Sequence, residues 1–422
     1  MDEHFLHYIW KYQKFKTSDL KTATGLPIRV FDPGYHNFDS GPDFEEARLK
    51  IDDIEWVGQV EIHVNASDWH KHRHSLDAHY NNVILHVVWN HDDEVYQEEE
   101  ILPVLELKNL VDHQLIHNYQ DHIQKPETIA CGTQLDQVPP LIIHSMMDKA
   151  AIERLERKAS TILKELSSNG NDWEVVTYQT FMVNFGFSTN KVPFQSLLGR
   201  LPYPVIKKNL ENAENVQALF FGQAGFLSDP NDDYSFQLQT TFNYLSKKFK
   251  LQDPLSIQEW KFGRMRPSNF PTVRLAQVAT LFHFYPKLFS KIIKVEEPKD
   301  IIPLFQFDLP EYWQQHYAFG KGRKTRQKQI GRSTMENILI NSVSPILAAY
   351  SKYTGNQDLM DKAVRLLELL KPENNRHTKE WNNVKTNPIN AFESQALIQI
   401  SQEYCKKRKC LNCNIGMKIL SQ

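Results

Sequence analysis

The stretch GPDFEEARLKIDDIEWVGQVEIHVNASDWHKHRHSLDAHYNNVILHVVWNHD, residues 41–92, decides how the chain is read. Gly41-Pro42 marks a turn, and Asp43 follows it. Residues 47–51 and 56–64 have strand character. An Asp-Asp turn joins them, so a hairpin is expected. In the second strand Glu61 and His63 alternate with Val60, Ile62 and Val64, which puts the two polar side chains on one face. Residues 83–89 form a continuous apolar run of strand length, as in a strand covered on both faces. Seven of the 17 histidines fall between His63 and His91, so this stretch is read as the site-bearing core.

Outward from it, residues 3–15 place Phe5, Leu6, Ile9 and Trp10 at helical spacing. Short strands are expected near residues 28–31 and 101–107, and a short helix over 77–82. Helix, strands, hairpin, short helix and buried strand make an α/β domain with a mixed sheet, assigned to residues 1–138. After Pro139-Pro140 the texture changes. Residues 141–166, 173–187, 205–221, 233–250, 275–289, 334–350 and 358–370 alternate apolar and charged residues at helical period, with Pro, Gly and Asn between them. Residues 139–422 are therefore read as a mostly α-helical region. No fixed-period repeat supports a solenoid.

The 422 residues carry 41% hydrophobic and 24% charged side chains and a net charge of −2. Such a chain has no global field for nucleic acid or membrane, so a polyanion would have to meet a local patch. No apolar run approaches the ~20 residues that span a bilayer. The start MDEHFLHYIWKYQKF lacks signal-peptide architecture, and the expected location is cytoplasmic. There is no P-loop, dinucleotide-binding turn, Gly-x-Ser-x-Gly elbow or His-Glu-x-x-His helix.

Asp43 opens the partner strand of the strand carrying Glu61 and His63. Two carboxylates and a nitrogen on adjacent strands can hold Mg²⁺ or Mn²⁺, lower the pKa of a bound water and neutralise a phosphodiester in its transition state. The same residues also fit a plain turn and the solvent face of an amphipathic strand.

Pro42-Asp43 with Glu61-x-His63 resembles the PD-(D/E)xK nuclease superfamily in strand order and position. The resemblance implies a restriction-endonuclease-like sheet with Asp43, Glu61 and His63 as catalytic residues and Asp43 and Glu61 as metal ligands. His63 departs from the superfamily's usual lysine, leaving it base, ligand or neither. Glu3 matches the helix glutamate common in that superfamily. Glu106-x-Lys108 is a second, less well placed (D/E)xK match. The whole chain also resembles a bacterial family known as an uncharacterised domain of unknown function. The carriers are LHYIW (6–10), GPDF, VEIH, SDWHKH (67–72), VILHVV (83–88), GRMRPSNFP (263–271) and the terminal Cys cluster. That resemblance implies no activity.

If residues 68–74 were extended, His70, His72 and His74 would share a face able to ligate Zn or Mn, with Asp68 or His79 completing the site. His70 and His72 are read as groups near Asp43 and Glu61 that either support the metal ligands from outside or contact phosphate, His74 as a solvated loop residue and His86 as a satisfied core histidine. Cys405-x4-Cys410-x2-Cys413 and the distant Cys131 can make a four-sulfur site for Zn²⁺ or an Fe–S cluster, or remain four thiols. The set is similar to the iron–sulfur staple of some nucleases of that superfamily, although the trio's spacing differs. Arg264, Arg266 and Arg274, and separately Lys321, Arg323, Lys324, Arg326, Lys328 and Arg332, form the two basic clusters. They can grip a polyanion backbone or pair within the fold. Arg264, Arg266, Arg323 and Arg326 are the substrate-binding candidates.

The function expected from these residues is a metal-dependent phosphodiesterase or nuclease acting on DNA or RNA. Two alternatives stand beside it. One is a non-catalytic nucleic-acid-binding or scaffold protein with a nuclease-like core and a structural metal. The other is a hydrolase of small substrates centred on the histidines.

Overall fold

The computed structural model describes residues 1–37, 40–97, 100–125 and 127–421. The chain divides into two compact units, Met1–Met146 together with Ser401–Gln422, and Met147–Ile400. The first is built on a mixed sheet and the second is mostly helical.

Helix α1 (Glu3–Lys11) opens the first unit. Asp2 caps it by accepting the Phe5 N–H at 2.8 Å, and Glu3 and Lys11 complement the two ends of the dipole. Its buried stripe is Phe5, Leu6, Ile9 and Trp10, as the spacing predicts. The strands are β1 (Ile28–Asp32), β2 (Tyr35–His36), β3 (Phe44–Ile51), β4 (Ile54–Asn65), β5 (Val83–Asn90), β6 (Tyr96–Gln97), β7 (Glu100–Ile101) and β8 (Val104–Glu106). The main sheet runs β1-β3-β4-β5-β8, with β2 added alongside β3, while β6 and β7 form a separate hairpin. Strands β1, β3 and β4 are antiparallel; β4–β5 and β5–β8 are parallel.

The predicted hairpin is β3–β4. Ile51 faces Ile54 across it, and Asp52 takes the left-handed conformation (φ 52°) that so tight a turn needs. Register breaks once. It passes from Phe44 opposite Val60 to Ala47 opposite Gly58, and Glu46 sits at φ 57°. This is a β-bulge immediately after Asp43. Gly34 makes room for it, since a Cβ there would lie 2.5 Å from the Glu45 carbonyl. Gly58 serves β5 in the same way; its Cβ would lie 2.5 Å from Ile84.

Because β4 and β5 are parallel, the chain must cross over between them. It does so through α2 (Asp68–Lys71) and two 3₁₀ turns, His74–Leu76 and Ala78–Tyr80; the latter stands where a short helix was expected. This crossover covers one sheet face with Trp69, which packs in a small cluster with Val83, Val88 and Val104. The other face carries Val60, Ile62, Leu85 and Val87 against α1. Both faces of β4 are therefore buried over residues 60–63, and Glu61 and His63 lie on the crossover side.

The chain's last residues belong to this unit. Leu411 and Leu420 are buried in the same cluster as Phe5 and Trp10. The helical second unit thus stops at Ile400 rather than at residue 422.

In that second unit the helical texture of the sequence is realised with breaks. The helix expected over 205–221 is two, Tyr203–Lys207 and Ala213–Gln223; Asn212 caps the second by accepting the Asn215 N–H. The segment expected over 334–350 begins at Arg332, with Gly331 at its cap, and contains a π-turn at Leu339–Val343. Lys321–Gly322 pairs with His316–Ala318 as a small hairpin. Among the described residues no helix is long and apolar enough to cross a membrane.

Candidate metal centre

Asp43 and Glu61 meet as the hairpin predicts, through a reciprocal pair of hydrogen bonds. The Asp43 backbone N–H donates to Glu61 Oε2 at 3.1 Å, and the Ile62 N–H donates to Asp43 Oδ2 at 2.9 Å. The bulge that follows Asp43 sits beside this lock. Glu61 Oε2 is thereby engaged, while Oε1 faces two imidazoles: His63 Nε2 at 3.4 Å and His74 Nε2 at 3.3 Å. A third imidazole closes the group, with His72 Nδ1 at 3.1 Å from His63 Nε2.

The turn that delivers His72 and His74 is local. Arg73 adopts φ 61°, so the chain reverses between the two histidines and both rings reach His63. A left-handed arginine costs roughly 1 kcal/mol or more, which the surroundings must hold in place. Trp69 does much of the holding. Fully buried, it packs edge-on against His74 at 5.3 Å and donates Nε1–H to Ser75 Oγ at 2.9 Å. Tyr80 stacks on the other side of His74 at 3.8 Å. His63 is fixed from behind by His86, Nδ1 to Nε2 at 2.9 Å. That contact leaves Nε2 to face the cluster, as the second nitrogen of a ligand histidine does.

Hydrogen bonds alone do not satisfy these atoms. His74 Nε2 is buried near a carboxylate yet makes no hydrogen bond of good geometry, and the same holds for His7 Nε2, 3.2 Å from Asp43 Oδ2. Burial first, and then the Asp43 carboxylate, push the Glu61 pKa up to about 9. Burial, with neighbouring His86 and His74 adding to it, pushes His63 down to about 2. The site is therefore a buried carboxylate poor in positive charge beside an imidazole held neutral. A bound cation would supply the missing positive charge. The separations His63–His72 of 3.1 Å, His74–Glu61 of 3.3 Å and His63–Glu61 of 3.4 Å are three of the six edges of a tetrahedral Zn²⁺ site, whose edge is about 3.3 Å for bonds of ~2.0–2.1 Å. Among the described residues His63, His72 and His74 form the group whose ligating nitrogens all lie within 4.8 Å of one another. His72 is exposed, so the cluster opens to solvent on that side.

Two side chains of α1 complete the surroundings. Burial would lower the pKa of His7, but the Asp43 carboxylate beside it outweighs burial and holds the pKa above its ordinary value. Glu3 is raised by burial and then by Asp43. The two are four residues apart on one helix face, a spacing the sequence displays. His36 lies against His7 at 5.1 Å and is depressed to about 4, by burial and then by His7.

Other sequence candidates lie elsewhere. His70 is exposed, with Nε2 3.8 Å from Asp93 Oδ2, outside the cluster. Asp68 accepts the Asn65 N–H and pairs with Lys71, so it organises α2. His79 pairs with Asp77. Glu106 accepts the His91 N–H, and Lys108 donates to Asn90. In the second unit, Arg264 is exposed at φ 59° and Arg266 lines a cavity. Arg323 donates to the His316 carbonyl and Arg326 to Gln314 Oε1, so both are engaged within the fold.

Cys131, Cys405, Cys410 and Cys413 all fall in the first unit, as thiols rather than disulfide halves. Burial, then Cys413 and Cys410, push the Cys131 thiol up to about 12; burial and then Cys413 push Cys410 up to about 11. Arg408 donates to the Glu127 carbonyl at 3.1 Å, tying the segment between the last cysteines to the strand of chain before Cys131.

Comparison with known families gives one match. A family model described as "Protein of unknown function (DUF2851)" matches residues 3–376, a span that contains the whole histidine cluster and ends before Cys405. No curated protein and no solved structure matches the chain.

Proposed function

The chain belongs to this DUF2851 family, whose description assigns no activity, and from the site we propose that it is a metal-dependent phosphodiesterase of the nuclease type, acting on nucleic acid. One observation carries the reading. Asp43 and Glu61, brought together on neighbouring strands, share their pocket with three imidazoles whose nitrogens converge. The antiparallel β1-β3-β4 meander, followed by a crossover to a parallel β5, supports it as well.

The donor set refines the expected metal. Mg²⁺ takes oxygen ligands and keeps its waters, whereas three imidazoles and one carboxylate suit Zn²⁺ or Mn²⁺. His63, His72, His74 and Glu61 would hold the ion. When bound it acidifies a water and draws charge from a phosphoryl oxygen. Asp43, with the more exposed carboxylate, would take the proton from the attacking water. His7, held toward its protonated form beside Asp43, supplies positive charge near the developing anion. His86 keeps the His63 tautomer fixed.

The test is cleavage of single- and double-stranded DNA, RNA and a small phosphodiester by the full chain with Zn²⁺, Mn²⁺ or Mg²⁺. Asp43→Asn is expected to lose at least about a hundredfold in rate while binding metal and keeping its circular dichroism. A wild-type protein that binds metal yet cleaves none of these would overturn the reading in favour of a non-catalytic nucleic-acid-binding or scaffold protein.

A further inference from the structure

The second unit contains a cavity of about 750 Å³, within the size range of small-ligand sites. Its wall includes Arg274, from the helix Pro271–Phe284. Arg274 is 5% exposed, and no carboxylate among the described residues pairs with it. Its hydrogen bonds run to neutral groups: Nη1 to Gln277 Oε1 and Thr334 Oγ1, both at 2.8 Å, and Nη2 to Asn269 Oδ1 at 2.7 Å. Its Nε has no partner. Its guanidinium lies 4.4 Å from the centre of the Phe187 ring. Taking a guanidinium out of water costs several kcal/mol unless a counter-charge is supplied. Here the protein holds the cation in place and provides no anion.

The cavity's other charged residues sharpen the imbalance. Arg266, Arg332 and Lys371 are cations, against Glu336 and Glu373. Both acids are engaged. Glu336 pairs with Arg332 at 2.9 Å, and Glu373 accepts from Asn337 at 3.3 Å and from Gln395. Four cations against two carboxylates leave an excess of two positive charges. A phosphomonoester carries about −1.5 to −2 at pH 7, so it matches the excess positive charge. Ser333 adds a hydroxyl to the lining, and Phe185, Phe187 and Met265 give it an apolar side for a flat organic body.

We infer that this cavity binds a phosphorylated small molecule of nucleotide size, with Arg274 as the buried anchor of its phosphoryl group. The site lies wholly within residues 185–375 and does not depend on the chemistry proposed for the first unit.

The experiment is calorimetric titration of the full chain with inorganic phosphate, with adenosine monophosphate, and with a 5′-phosphorylated oligonucleotide. The mononucleotide is expected to bind, phosphate to compete with it, and Arg274→Gln to weaken it by about thirtyfold, the range for losing a hydrogen bond to a charged group. Should that variant fail to fold, Lys371→Ala and Arg266→Ala, both exposed, are expected to weaken binding several-fold each with unchanged circular dichroism. No binding of phosphate or mononucleotide at millimolar concentration overturns the inference. So does binding that all three substitutions leave intact, or binding of the oligonucleotide alone.

Discussion

Replacing Glu61 by glutamine separates stability from chemistry at the metal centre. The side chain is 5% exposed, and its carboxyl group titrates at about 9 rather than 4.5, because burial and then Asp43 disfavour the charged form. An acid whose folded pKa lies above its unfolded value contributes stability that is complete below the unfolded pKa. That contribution is lost as pH rises toward the folded pKa, at about 1.4 kcal/mol per pH unit. For Glu61 the window is pH 4.5 to 9. The metal-free protein at pH 8 should therefore bear a cost on the order of 4 kcal/mol that is nearly absent at pH 5. Glutamine keeps the length, still accepts the Asp43 N–H, can donate to His63 or His74, and does not titrate. In urea unfolding of chelator-treated protein, Glu61→Gln should be more stable than wild type at pH 8 and close to it at pH 5. Added Zn²⁺ should reverse the order at pH 8, since the metal would stabilise the wild type alone. A variant destabilised equally at both pH values would show that Glu61 is an ordinary buried hydrogen-bonding residue and not part of a cation site.

Zn²⁺ affinity measured by chelator competition should fall about a hundredfold or more in His72→Ala and His74→Ala and stay unchanged in His70→Ala, whose ring lies beside Asp93 outside the cluster. In wild type it should weaken by about tenfold for each unit the pH drops from 8 to 6, because Glu61 must give up a proton to bind. At the cysteines, protein purified under reducing conditions should carry one zinc ion or an iron–sulfur absorbance that Cys413→Ser removes. Gly416→Ala should disturb the same metal content, since its Cβ would stand 2.3 Å from the Cys410 carbonyl, a backbone atom with little room to move.

The hairpin, the buried strand and the pairing of Asp43 with Glu61 were legible because they follow from period-two patterning and one turn. The partners of His63 were not. His74 looks like a loop residue until Arg73 enters the left-handed region, and no periodicity announces a single such residue. His86 reads as a satisfied core histidine; it is buried, but its Nδ1 has no hydrogen-bond partner among the described residues, and its position opposite Glu61 in a parallel pairing, with Nε2 on His63 Nδ1, makes it the support of the site. Expecting residues 68–74 to be extended grouped His70 with its neighbours; α2 instead turns it away toward Asp93. The basic residues Arg323 and Arg326 look like a solvent-facing grip in sequence, yet backbone and amide acceptors nearby engage them. Nor does local patterning reveal that residues 401–422 return to the first unit, because the apolar partners of Leu411 and Leu420 are at the other end of the chain.

That return sets an order of events during synthesis. The sheet and α1 are made before the second unit, and the cluster containing Phe5 and Trp10 lacks Leu411 and Leu420 until roughly 300 further residues have been made. At about 5–20 residues per second the wait is on the order of 15–60 s. During it the second unit, continuous in sequence, can fold to completion while the first holds an open apolar seam. Chains halted near residue 400 should therefore be the species that chaperones retain and proteases remove, and addition of Leu411 and Leu420 should be the step that closes the seam.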